Sequence, residues 1–275
     1  MKFSEKINNL KLTSLNYYAF LLHFISSVVL AGVLYGTVGE INFNTNLYGY
    51  KIKNISGGGK NFTFDYGPPD GPELEMSGDV LKGIIVSIFL ITALFHLFYW
   101  KSKNYIKEVN SGKNRYRWVE YAITASLMIY IYSILSGVKD YYIVFLIVLF
   151  NIVLMSFGYF LEMSSNPQAK FMALVMGFFI LTIIFTFTYY QFVNNIDAAK
   201  DTYDIPNWVY AIVLAMIFWW LSFGVIGVLY YKASLKGKVN FTRYEKYYIF
   251  LSYISKAFMG YYLAFGLTRD TPEEK

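Results

Sequence analysis

Four ionisable side chains stand inside otherwise apolar stretches of this chain: His23, His96, Glu120 and Lys256. Lys256 is the sharpest case, at the centre of the run 247–266 (YYIFLSYISKAFMGYYLAFG), which has no other formal charge. A bare ammonium at membrane depth costs roughly 2.5–3.5 kcal/mol on insertion scales, so a functional role is the first hypothesis for it. At ~1.5 Å of rise per residue, Lys256 lies about 15 Å along a helix entered near Lys246, and Glu120 about 8 Å along one entered near Arg115. Side chains lean toward the helix N-terminus, which brings the lysine nitrogen back toward the depth of the carboxylate. Paired, the two charges neutralise each other.

Spacing alone leaves two chemistries open: a plain ion pair, or a lysine amine that carries a covalently attached group. The neighbourhood favours the second. Ser252 precedes Lys256 by one turn on the face toward which the lysine leans, and can hydrogen-bond either partner. His23 and His96 fall in the same half of the molecule as the Lys256 nitrogen and Glu120. The opposite half offers Asn151, Thr182, Thr186, Gln191 and Ser222 but no carboxylate or base in its apolar core, which argues against a proton pump. Trp219, Trp220 and Phe223 sit in mid-stretch rather than at an interface, a cage suited to a flat conjugated ligand.

These residues need membrane helices to position them. The 275 residues are 56% hydrophobic and 21% aromatic, with mean hydropathy +0.39. Seven apolar stretches of the ~17–25 residues that cross a bilayer run over about 17–38, 83–100, 118–137, 141–161, 171–193, 207–231 and 247–267. The expectation is an all-α, integral, multi-pass membrane protein, one domain over 1–275 with seven transmembrane helices. With no cysteine, disulfides, thiol catalysis and thiolate metal sites are excluded, and two histidines cannot build a His-rich metal site. The polar N-terminal segment, MKFSEKINNLKLTSLNYY, reads as the start of a retained anchor rather than a cleaved signal.

The net charge of +6 is topology rather than nucleic-acid binding. Fifteen of the 24 Lys and Arg fall on the side of the N-terminal tail and eight on the other, with Lys256 between them. That asymmetry places the N-terminus in the cytoplasm and the C-terminus outside. The only long connection, 40–82, has alternating β-type runs around SGGGK and GPPDGP, and predicts a small antiparallel hairpin on the outer face.

The third stretch carries Arg117-Trp118-Val119-Glu120-Tyr121, which resembles the R-W-x-E-Y signature of the heliorhodopsins, relatives of the microbial rhodopsins with inverted topology. Ser252 to Lys256 resembles that family's S-x-x-x-K motif, and His23, His96 and Asn151 fall where the family has its histidines and asparagine. The N-inside topology and the long first outer loop agree with it. The resemblance implies a seven-helix rhodopsin-like bundle with all-trans retinal on a Lys256 Schiff base, Glu120 as counterion and Ser252 beside them. It further implies Tyr121, Thr124, Met128, Asn151, Trp219, Trp220 and Phe223 as pocket residues, His23 and His96 in proton handling, and a homodimer in the lipid bilayer. Arg117 reads as an interfacial, snorkelling residue. The expected function is light sensing through a slow photocycle without ion pumping, and no enzymatic activity. The alternatives are a light-gated or light-driven proton conductance, and a carrier without chromophore.

Overall fold

The computed structural model describes residues 11–37, 49–54, 62–67, 78–138, 140–201, 207–237 and 239–268. Outside these fall most of the N-terminal tail, the SGGGK turn, the GPPDGP segment after Gly67, and Lys139, Lys238, Arg269 and Lys275 of the charge count. The described residues form eight helices: α1 (Leu12–Gly36), α2 (Gly78–Lys101), α3 (Lys103–Asn110), α4 (Arg115–Leu135), α5 (Tyr141–Met163), α6 (Pro167–Ala199), α7 (Asn207–Leu235) and α8 (Phe241–Leu267). Between α1 and α2, strands β1 (Gly49–Asn54) and β2 (Phe62–Gly67) pair antiparallel, with Ile52 opposite Phe64.

Six helices, α1, α2, α4, α5, α6 and α7, are long and apolar enough to cross a membrane. The 27-residue α8 is more polar, yet packs between α7 and α1 and closes a ring of seven in the order α1, α2, α4, α5, α6, α7, α8. The helices exceed the apolar stretches: α8 starts at Phe241, α6 runs from Pro167 to Ala199, and α5 continues to Met163. Polar capping residues explain several of these starts. Asn114, Asp140, Asn166 and Asn240 each accept a backbone N–H in the first turn of the following helix, and Pro167 opens α6, where its missing N–H is not needed. Ser102 similarly caps α3 and separates it from α2.

Successive long helices run antiparallel, so the bundle has two ends. The proximal end holds the start of α1, the α2–α3–α4 connection and the α5–α6 and α7–α8 turns. The distal end holds the close of α1, the start of α2 and the α4–α5 turn. The distal core is apolar: Leu30, Leu34, Leu81, Ile85, Ile88, Ile131 and Leu263 are almost fully buried. Gly260 lets α8 approach so closely that a Cβ there would enter the Phe89 ring. Outward faces carry Leu22, Ile25, Phe145, Leu214 and Val225, as a helix bathed in lipid requires.

Candidate functional site

Lys256 is 3% exposed and Glu120 2%. The Lys256 Nζ donates to Glu120 Oε1 at 3.0 Å and to Ser252 Oγ at 2.9 Å. The second bond is the i−4 contact that a lysine leaning toward the helix N-terminus makes. The other carboxylate oxygen, Oε2, accepts from the Tyr99 hydroxyl at 3.1 Å. Thr124, on the next turn of α4, donates to the Glu120 carbonyl. The ammonium also lies 5.4 Å from the centre of the Tyr121 ring. Both charges are thus out of water, and each has partners on two helices.

The histidines stand together beside this pair. Their rings stack with centroids 5.3 Å apart, Tyr253 meets the His23 ring edge-on, and Tyr99 meets that of His96. The Nδ1 of His23 contacts the Ala19 carbonyl oxygen, and that of His96 contacts Asn16 Oδ1, both at 2.8 Å. Neither Nε2 has a hydrogen-bond partner among the described residues. No group of three or more His, Asp or Glu suited to a metal ion occurs among those residues.

On the other side of Lys256 a cavity of about 120 Å³ opens between α4, α5, α6 and α7. Of the sequence candidates, Tyr121, Thr124, Met128, Trp220, Phe223, Ser252 and Lys256 line it. Asn151 is buried behind the wall, donating to Ser126 Oγ and accepting from the Trp220 indole. Trp219 turns away and packs against Phe218 and Phe258. Two glycines shape the walls. The Trp118 ring lies where a Cβ of Gly158 would be, and the Phe178 ring comes within 2.8 Å of the Cβ position of Gly224.

Arg117 is not an interfacial snorkelling residue. It is 2% exposed and forms ion pairs with Glu162 of α5 and Glu245 of α8, while its guanidinium sits 4.1 Å from the Tyr248 ring centre. Desolvation explains the arrangement, because a buried guanidinium is tolerated only when paired and hydrogen-bonded. Glu245 also accepts from Asn114 at 2.8 Å and from the Tyr105 hydroxyl at 3.0 Å. Burial, and then the Glu245 carboxylate, push the Tyr105 phenol well above its ordinary pKa, so it remains a donor.

Glu162, Glu245, Tyr99, Tyr105 and Asn16 are site residues that the apolar stretches do not reveal. Glu162 and Glu245 lie just beyond the ends of those stretches, where a carboxylate passes for a loop residue. The cap at Asn240, six positions after Ser234, was the available signal that α8 begins early enough to bury Glu245.

Comparison with solved structures places the fold among the microbial rhodopsins. A light-driven proton pump, LR (Mac) from Leptosphaeria maculans, is 12% identical, with a TM-score of 0.63 over 97% of this chain and 96% of that one. A thermophilic rhodopsin is 11% identical, with a TM-score of 0.62 over 94% and 93%. No curated protein sequence matches. The heliorhodopsin family model matches residues 12–267, from the first residue of α1 to the last of α8 and with the whole Lys256 site inside it, and the chain belongs to the heliorhodopsin family.

Proposed function

We propose that this chain is a light-sensing photoreceptor that holds all-trans retinal in Schiff-base linkage to Lys256, with Glu120 as counterion, and that it signals through a slow photocycle without pumping ions. The carrying observation is the Lys256 amine, buried at one end of an aromatic-lined cavity and 3.0 Å from a single carboxylate. A primary amine facing an apolar slot between Tyr121, Trp220 and Phe223 suits a long hydrophobic polyene ending in a carbonyl. When bound, retinal supplies light absorption and isomerisation of a double bond.

The protein's own residues do the rest. Glu120 balances the positive charge on the Lys256 nitrogen, and Tyr99 fixes the carboxylate by holding its second oxygen. Ser252 gives the same nitrogen a second acceptor. A proton leaving that nitrogen has Glu120 in reach, and His23 and His96 provide bases beyond it on the proximal side. The positive-inside asymmetry supports a cytoplasmic proximal end with β1 and β2 outside and α8 as the seventh span, and the family resemblance implies a homodimer as the membrane form. The apolar distal half supports sensing over conduction.

Expression with retinal should give a visible band that disappears in Lys256→Met, and Glu120→Gln should shift it to longer wavelength, because loss of the counter-charge favours the excited state. A colourless protein would remove this reading. A steady light-driven current under voltage clamp that reverses with the proton gradient would replace it with the proton-conducting alternative.

A further inference from the structure

The Arg117 cluster is out of charge balance. Two carboxylates, Glu162 and Glu245, face one guanidinium, and all three side chains are at most 3% exposed. Glu245 also accepts from two neutral donors, the Asn114 amide and the Tyr105 hydroxyl. Glu162 Oε2 makes no hydrogen bond of good geometry among the described residues, although the Trp118 indole is close enough to act on it. Tyr248, Tyr121, Tyr230 and Tyr99 also face the cluster. Lys170 of α6 lies within electrostatic reach of Glu162 but gives its hydrogen bond at 3.3 Å to the Tyr230 hydroxyl, and Lys246 follows Glu245 on α8. Leaving a net negative charge in such a site is costly, and two carboxylates around one cation avoid it by taking up one proton as a coupled pair.

The cluster is also wired to the Lys256 pair. Tyr99 and Tyr105 stack with ring centroids 4.7 Å apart and 19° between planes. The first hydroxyl is held by Glu120 and the second by Glu245, so the stacked rings bridge the two carboxylate sites. Asn16 extends the chain sideways, donating to Tyr105 and contacting His96.

We propose that Glu162 and Glu245, held on either side of Arg117, share one proton and form a second proton-binding site at the proximal end, coupled to Glu120 through Tyr99 and Tyr105. Neutralising Glu120 removes a negative charge from the far side of the tyrosine pair. The attraction for the shared proton then falls, and the site gives the proton up toward the proximal surface. Occupancy in the dark is independent of the photoreceptor reading above, whereas the light response rests on it.

Infrared spectroscopy of the full chain in lipid separates the two. In the dark, with or without retinal, a carboxylic-acid C=O band should be present at neutral pH, move on carboxyl-¹³C labelling of glutamate, vanish in Glu162→Gln or Glu245→Gln, and in Glu120→Gln keep its glutamate origin but be lost at lower pH than in the parent chain. Should those variants fail to fold, Glu162→Asp and Glu245→Asp shift the band instead. Absence of an acid band, as in a fully ionised pair balanced by Lys170, overturns the site, as does a band unchanged in every variant. In pigment that cycles under light, the band should be lost on illumination and that loss reduced several-fold in Tyr105→Phe. A light-insensitive band in cycling pigment, or full loss in Tyr105→Phe, overturns the coupling. A chain without a visible band would count against the photoreceptor reading alone, and the dark titration would still decide the site.

Discussion

The proximal and distal halves of the bundle are held together by different physics. In the proximal half Lys256, Glu120, Arg117, Glu162 and Glu245 are buried, and each is in contact with an opposite charge. In the distal half Leu30, Leu34, Ile88 and Ile131 meet side chains of their own kind, and Gly260 lets the Phe89 ring pack directly on the α8 backbone. Charges out of water are stable only in balanced, directional sets, whereas aliphatic packing is tolerant in direction and strict in volume. The proximal half can therefore change state when one proton moves. In the distal half the buried charges among the described residues, Lys82 beside Asp79 and Asp140 capping α5, lie at helix ends, and the core between them is aliphatic.

Four substitutions probe that contrast, in falling order of effect on the unfolding of the purified protein. Ile88→Asp puts an unpaired carboxylate in that aliphatic core and should cost about 5 kcal/mol or more, read as failure to recover folded protein. Recovery of stable Ile88→Asp would mean that the distal half admits water. Arg117→Met strands two carboxylates and should cost about 3–5 kcal/mol, with part regained on adding Glu162→Gln and Glu245→Gln. If the triple change is no better than the single one, charge balance is not what holds the cluster. Gly260→Ala drives a methyl into Phe89 and should cost about 1–3 kcal/mol, lowering the midpoint temperature without altering any charge-dependent readout. Ile131→Val removes one methylene from the distal core for about 1 kcal/mol. A cost for Ile131→Val equal to that of Arg117→Met would erase the distinction between the halves.

The sequence reveals what is anomalous in its surroundings. A lysine in twenty apolar residues stands out, and the helical rise is enough to bring Glu120 and Ser252 to it, as the 3.0 and 2.9 Å bonds show. The Arg117 cluster was not legible in the same way. Its carboxylates lie where apolar runs give out, and a helix that continues past the end of its apolar run changes a loop residue into a buried one. Aromatic runs are ambiguous for a related reason. Adjacent positions on a helix point about 100° apart, so Trp220 reaches the cavity wall and Trp219 does not, and only packing says which. Tyr99 and Tyr105 lie among 27 tyrosines and carry no mark in the sequence.

The two wall glycines have a consequence for how the slot beside Lys256 can vary. The Trp118 ring occupies the position that the first side-chain carbon of Gly158 would fill, and the Phe178 ring lies 2.8 Å from that of Gly224. One added carbon at either place acts as a shim, displacing a whole ring. The slot thus has two built-in set screws, set back from Lys256 and Glu120, by which its width can be altered while the amine and its carboxylate stay in place.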